Sequence, residues 1–214
     1  MGIDDPFAGL PTLRKKGLRG CQYEAITELE KSFRSGQNRA LMVLATGAGK
    51  TYTACLAAYR MLSYTNMRRV LFLVDRNNLG KQAEAEFGTF RLTDNGEAFN
   101  TIFWVDRLHS AKIPSDSNVI ISTIQRLFSL LKGEPIEDND DDDTEDADTE
   151  VSLPDNPNLP NDFFDMIIID ECHRSIYGNW RKVLEYFDTA RLVGLTATPI
   201  PETMAFFRQR RHTV

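Results

Sequence analysis

The 214 residues carry 31 acidic against 25 basic side chains, a formal net charge of −6, with 42% hydrophobic residues; that is ample for one domain with a buried core and calls for neither disulfides nor a structural metal. The three cysteines, Cys21, Cys55 and Cys172, are odd in number and lack C-x-x-C spacing, which speaks against a disulfide framework and a zinc site. The first residues have no basic start and apolar run of the secretory kind, and no apolar stretch reaches bilayer-spanning length, so the expectation is a soluble, cytoplasmic protein with no membrane partner.

In chain order, amphipathic and strand-like stretches alternate. The pattern predicts a helix over 21–34, a strand over 40–45, a helix over 49–63, a strand over 70–74 and a helix over 79–87. Strands follow over 101–105 and 119–121, then a helix over 124–131, a strand over 166–169, a helix over 180–186, a strand over 192–195 and a helix over 201–207. No internal repeat is visible. Such alternation implies an α/β fold, a mostly parallel sheet with helices on both faces.

The strand at 40–45 runs into Thr46-Gly47-Ala48-Gly49-Lys50-Thr51 and then a helix, so a glycine-rich turn sits at a helix N-terminus. This is a phosphate cradle: Gly47 and Gly49 let backbone amides approach the β- and γ-phosphates, and the helix dipole favours an anion. Lys50 should reach the β/γ oxygens of ATP and the Thr51 hydroxyl should ligate Mg²⁺. The strict G-x-x-x-x-G-K-[ST] fingerprint asks for glycine at position 44, where this chain has Leu44.

Between 132 and 160 the periodic pattern stops. Ten Asp or Glu and no Lys or Arg lie from Glu137 to Glu150, followed by Pro154, Pro157 and Pro160. A segment of this composition buries too little apolar surface to offset its ordering entropy and reads as a flexible insertion in a surface loop. Outside the acidic run 25 basic residues face 21 acidic ones, a mildly basic balance compatible with phosphate contacts.

The next strand, Met166-Ile167-Ile168-Ile169, is wholly apolar and ends in Asp170-Glu171. Two carboxylates at the carboxyl end of a buried strand are costly unless they serve a ligand. Asp170 is assigned to Mg²⁺ and Glu171 to the water that attacks the γ-phosphate. His173 follows closely and is read either as a hydrogen-bonding residue of the turn or as a link between hydrolysis and nucleic acid.

These residues resemble the superfamily 2 helicases and translocases, which implies a RecA-like P-loop NTPase domain. A-T-G-A-G-K-T from Ala45 to Thr51 looks like that superfamily's motif I, D-E-C-H from Asp170 to His173 like motif II, and Thr196-Ala197-Thr198-Pro199 like motif III. Closer matches resemble the motor subunit of type I restriction enzymes, with type III subunits as near relatives. Leu18-Arg19-Gly20-Cys21-Gln22-Tyr23-Glu24-Ala25-Ile26 is similar to the L-R-x-x-Q-x-x-A-I segment ahead of motif I, which implies Arg19 and Gln22 near the adenine. The run from Leu73 to Gln82 looks like the V-D-R-x-x-L-x-x-Q version of motif Ia, and Ser122-Thr123-Ile124-Gln125 like motif Ib, implying nucleic-acid contacts at Arg76, Asn77, Thr123 and Gln125. Ile169 through Gly178 resembles the branch's extended motif II. Taken alone, Asp75 with Arg76 reads as a surface ion pair and Thr123 as a helix cap.

The expectation is one RecA-like lobe over 1–214, binding ATP and Mg²⁺ with catalytic residues Lys50, Asp170 and Glu171 and with Thr196 and Thr198 coupling hydrolysis to movement. The resemblance implies half of a double-stranded DNA translocase whose partners are duplex DNA, the remaining domains of the polypeptide, and methyltransferase and specificity subunits. The second lobe, with its arginine finger, and a nuclease domain are expected to be absent from these residues, and no P-D…(D/E)-x-K nuclease signature is seen. The competing readings are another superfamily 2 DNA or RNA helicase, a type III subunit, and a nucleotide-gated binding module without turnover.

Overall fold

The computed structural model describes residues 5–92, 95–110, 112–134, 153–174 and 177–208. Six strands form one sheet: β1 (Arg39–Val43), β2 (Val70–Val74), β3 (Val105–Arg107), β4 (Val119–Thr123), β5 (Met166–Ile169) and β6 (Arg191–Thr196). The order across the sheet is β1-β6-β5-β2-β4-β3 and every pairing is parallel.

Side-chain alternation along the strands sorts the core into two layers. Val70, Phe72, Val74, Ile168, Val193 and Leu195 face α1 (Gly20–Arg34), α2 (Lys50–Tyr64) and α3 (Asn77–Thr89). Leu71, Leu73, Ile167, Ile169 and Leu192 face α4 (Ile124–Lys132), α5 (Gly178–Tyr186) and α6 (Pro201–Arg208). β2 and β5 are buried on both faces, which explains why their sequences are continuous apolar runs rather than alternating ones. α2 is buried from Thr53 to Leu62, packed beneath α1 and the segment carrying Phe7, Leu10 and Leu13. The one cation in that stretch, Arg60, is paired with Glu30 of α1 and donates to the Pro11 carbonyl at 2.5 Å, so its charge is met on both sides.

Two expectations are corrected. The apolar run over 101–105 is not the third strand: Phe99–Thr101 is a 3₁₀ turn and β3 begins at Val105. The reason is aromatic packing. Phe99 sits 5.2 Å from both Phe87 and Phe103, ring centre to ring centre, and these contacts pull the run out of extended geometry, leaving Trp104 64% exposed at the sheet edge. The insertion expected over 132–160 is also narrower at its end. Asn156 donates from its side chain to the Leu130 carbonyl at 3.2 Å, Tyr186 donates to the Leu159 carbonyl at 2.8 Å, and Leu159 is buried, so 153–160 packs on α4 and α5. The acidic run itself, 137–150, lies outside the described residues. Among the described residues no helix is long and apolar enough to cross a membrane.

Candidate nucleotide site

The strand order places the loop after β1 and the carboxylates after β5 on either side of β6, at the carboxyl edge of the sheet. Helices leave β1 and β6, and again β5 and β2, toward opposite faces, so the crevice where ligands bind in doubly wound sheets falls here. Val43 is in register with Thr196 and Ile169 with Gly194, and the Leu44 amide donates to the Thr196 carbonyl at 3.0 Å, carrying the ladder to the foot of the glycine loop.

Gly47 and Gly49 both take left-handed backbone, φ 76° and 84°. At Gly49 a Cβ would also stand 2.6 Å from the Gln22 side-chain nitrogen, so both conformation and space require glycine there. Arg19 and Gln22 brace the loop from α1: Arg19 donates to the Gly47 carbonyl at 2.5 Å and Gln22 to the Ala48 carbonyl at 3.0 Å. Gln22 in turn accepts from the Arg19 amide at 3.0 Å, so both polar ends of its side chain are engaged by protein. Thr46 is exposed, and Thr51 follows Lys50 in the first turn of α2.

After β5 the chain turns sharply. The Asp170 amide extends the sheet by donating to the Leu73 carbonyl at 2.9 Å, and the Asp170 carboxylate accepts from the Glu171 amide at 3.0 Å. Glu171 has φ 47°, the one non-glycine with positive φ among the described residues, at a cost of about 1–3 kcal/mol. Its carboxylate forms an ion pair with Lys50 across β6 and stands 3.6 Å from His173 Nδ1. His173 Nδ1 is also 3.5 Å from the Thr196 hydroxyl, which accepts from the Thr198 amide at 3.1 Å. A polar chain therefore runs Lys50, Glu171, His173, Thr196, Thr198, joining the ends of β1, β5 and β6.

Burial is the main cause that raises the Asp170 carboxyl above its ordinary 3.8; the charges of Glu171 and Asp75 push the same way and Lys50 opposes them. A carboxylate so placed gains from a cation. One carboxylate and one hydroxyl, with phosphate oxygens and water completing the shell, is the donor set of a phosphate-bound hard divalent ion. Lys50, Thr51, Asp170 and the loop amides fit that group. Cys172 beside them is buried, and burial pushes its thiol up to about 12.

The residues singled out for nucleic acid are dispersed over the same edge. Arg76 is exposed and lies 3.8 Å from Asp75, the surface ion pair that the local sequence suggests. Asn77 opens α3, but its side chain lies outside the described part. Thr123 is buried and caps α4 by accepting from the Arg126 amide at 3.4 Å, and the Gln125 side-chain oxygen is buried within the domain. What sequence reasoning missed is the brace role of Arg19 and Gln22, and the charge of Asp75 behind Asp170. Neither has a local signal, because each depends on a contact between segments far apart in the chain.

Known proteins resemble this chain over most of its length. The family model described as "Type III restriction enzyme, res subunit" matches residues 15–201. The chain is 32% identical over 223 residues to the type I restriction enzyme EcoKI endonuclease subunit of Escherichia coli K12, covering 94% of this chain and 17% of that protein. It is 35% identical over 191 residues to the EcoAI endonuclease subunit of Escherichia coli, covering 86% and 20%. The chain thus spans about a fifth of the length of these relatives. Among solved structures, a fragment of an HsdR subunit of a type I restriction enzyme from Vibrio vulnificus matches with a TM-score of 0.59 and 25% identity, over 97% of this chain and 31% of that one.

Proposed function

We propose, because the chain belongs to the type III restriction enzyme res subunit family, that it is the ATP-binding lobe of a DNA-dependent motor of the type I restriction kind. The observation that carries this reading is the polar chain from Lys50 through Glu171 and His173 to Thr196 and Thr198, strung across the ends of three strands.

Gly47, Ala48 and Gly49 hold the phosphates of ATP with their amides, and Arg19 and Gln22 hold that loop in shape. Lys50 places its charge on the terminal phosphates. Thr51 and Asp170 hold Mg²⁺, which supplies charge neutralisation at the phosphate oxygens. Glu171 accepts the proton of the attacking water, and the Lys50 ammonium leaves its carboxylate for the phosphate when it does so. His173 and Thr196 sense which partner Glu171 has, and pass that state to the Thr198 segment, the coupling role assigned to motif III. A binding module without turnover needs no such carboxylate. Arg76 and Asn77 lie along the path for duplex DNA, the remaining domains close that path, and methyltransferase and specificity subunits supply the recognition site.

The 214-residue chain should bind Mg-ATP yet release phosphate slowly, with or without linear duplex DNA. In related phosphoryl transfers an arginine finger is worth roughly 10³ to 10⁵ in rate, and no arginine of this sequence lies in a segment resembling its motif. Steady-state phosphate release checks this, compared with a longer polypeptide of the same family. DNA-stimulated turnover of about one per second from the short chain would overturn the assignment of roles.

A further inference from the structure

Along the flank of α2, apart from the chain that joins Lys50 to Thr198, lies a cavity of about 1050 Å³ lined in part by Arg14, Lys16, Tyr52, Arg60, Tyr64 and Arg91. Among the described residues no carboxylate lines it. Arg60 forms its floor at 2% exposed and is already held by Glu30 and the Pro11 carbonyl. Arg14, Lys16 and Arg91 are exposed and have no ion pair or side-chain hydrogen bond among the described residues. Three cations gathered around one concavity, with no anion lining it among the described residues, repel one another, and a polyanion relieves that repulsion through charge-assisted hydrogen bonds.

The aromatic lining narrows the ligand further. Tyr52 and Tyr64 stand at opposite ends of the stripe that α2 presents here, twelve residues or about 18 Å apart. Tyr52 packs its ring 4.9 Å from that of Phe90, which fixes its plane, and its hydroxyl is free among the described residues. A held ring beside guanidinium groups suits a planar base. The size is that of a cofactor-sized ligand. The near end of the cavity adjoins the glycine loop, since Tyr52 follows Thr51, but its far end does not: Arg60 and Tyr64 lie ten and fourteen residues beyond Lys50, about 15 and 21 Å along the helix.

We propose that this cavity is a second nucleotide site, holding the phosphates of a nucleoside polyphosphate on Arg14, Lys16 and Arg91 with its base beside Tyr52. It is separate from the loop site, and its test keeps the two apart. Mg-ATP binding to the 214-residue chain is measured by equilibrium dialysis for the unaltered protein, Lys50→Ala, the double variant Arg14→Glu with Arg91→Glu, and all three changes together. Both arginines are exposed and unpaired among the described residues, so the charge reversals leave the core intact.

The expected result is two equivalents in the unaltered chain and one in either single-site variant, with affinity lowered at least about tenfold when the three changes are combined. One equivalent that Lys50→Ala abolishes, whether the double variant retains it or also weakens it, overturns the second site and leaves the loop assignment standing. One equivalent that only the double variant abolishes overturns the loop assignment and supports this one. Inorganic tripolyphosphate is the second probe. Tyr52→Ala should weaken flank binding of ATP in the Lys50→Ala background and leave tripolyphosphate unchanged; equal effects on the two probes would overturn the placement of the base.

Discussion

Every residue of β2 from Val70 to Val74 and of β5 from Met166 to Ile169 is buried and apolar, in ordinary extended geometry and paired on both edges. Within two residues of the end of β5 the rules reverse: Asp170 carries a carboxyl raised by burial, Glu171 takes left-handed backbone, and an ion pair spans to the next loop. The middle of the sheet is optimised for burial. The carboxyl edge spends stability on placing charge, and the local costs there persist because the layers beneath hold the strand ends rigid.

If that division holds, substitutions in the middle should cost the most stability. Phe72→Ala removes a buried ring packed edge-on against Phe87, 5.8 Å away, and should lower unfolding free energy by about 3–5 kcal/mol. Chemical denaturation measures it; a loss under 1 kcal/mol would show that the layer is not the source of rigidity. Next comes the border between the regions. A Cβ at Gly194, in central β6, would stand 2.6 Å from the Phe207 ring and 2.7 Å from Cys172 Sγ, so Gly194→Ala should cost about 1–3 kcal/mol through overpacking. It should also disturb nucleotide affinity, since Cys172 follows Glu171 directly.

The smallest effect has the opposite sign. Burial raises the Asp170 carboxyl in the folded state, so the folded protein holds that proton more tightly than the unfolded chain does. The favourable contribution of the protonated group is complete below the unfolded value near 3.8 and is lost as pH rises through the elevated folded value. At neutral pH the ionised group is therefore a burden, and Asp170→Asn should raise thermal stability by the equivalent of about 1 kcal/mol while removing magnesium dependence of nucleotide binding. At pH 3 the gain should vanish. A gain that persisted there would assign the cost to something other than the buried charge.

The same division decides what was legible in the sequence. Five of the six strands are readable because an apolar run bounded by turn residues has few alternatives, and Lys50, Asp170 and Glu171 are readable because polar residues at the end of such runs stand out. The apolar run over 101–105 misled because Phe99 and Phe103 satisfy their burial through ring packing rather than through a strand, while the real β3 is a half-buried edge carrying Asp106 and Arg107. The brace at Arg19 and Gln22 and the Arg60 to Glu30 pair rest on contacts 26 to 30 residues apart, which local pattern does not encode. The left-handed turn at Glu171 is also invisible locally, since the residue types in Asp-Glu-Cys-His that favour this backbone are Asp and His, and the structure places it on the glutamate between them.

The central claim is that Lys50 and Glu171, paired in this structure, divide binding from chemistry at one nucleotide. The direct measurement is the Mg-ATP affinity of Lys50→Ala and Glu171→Gln, titrated side by side against the unaltered chain with the flank cavity disabled by Arg14→Glu and Arg91→Glu. Lys50→Ala should weaken binding by at least about tenfold, because a charged partner of the phosphates is lost, whereas Glu171→Gln should bind as tightly as the parent or tighter, since Lys50 is freed from a full negative charge. Equal loss of affinity in both variants would contradict the separation of roles on which the account rests.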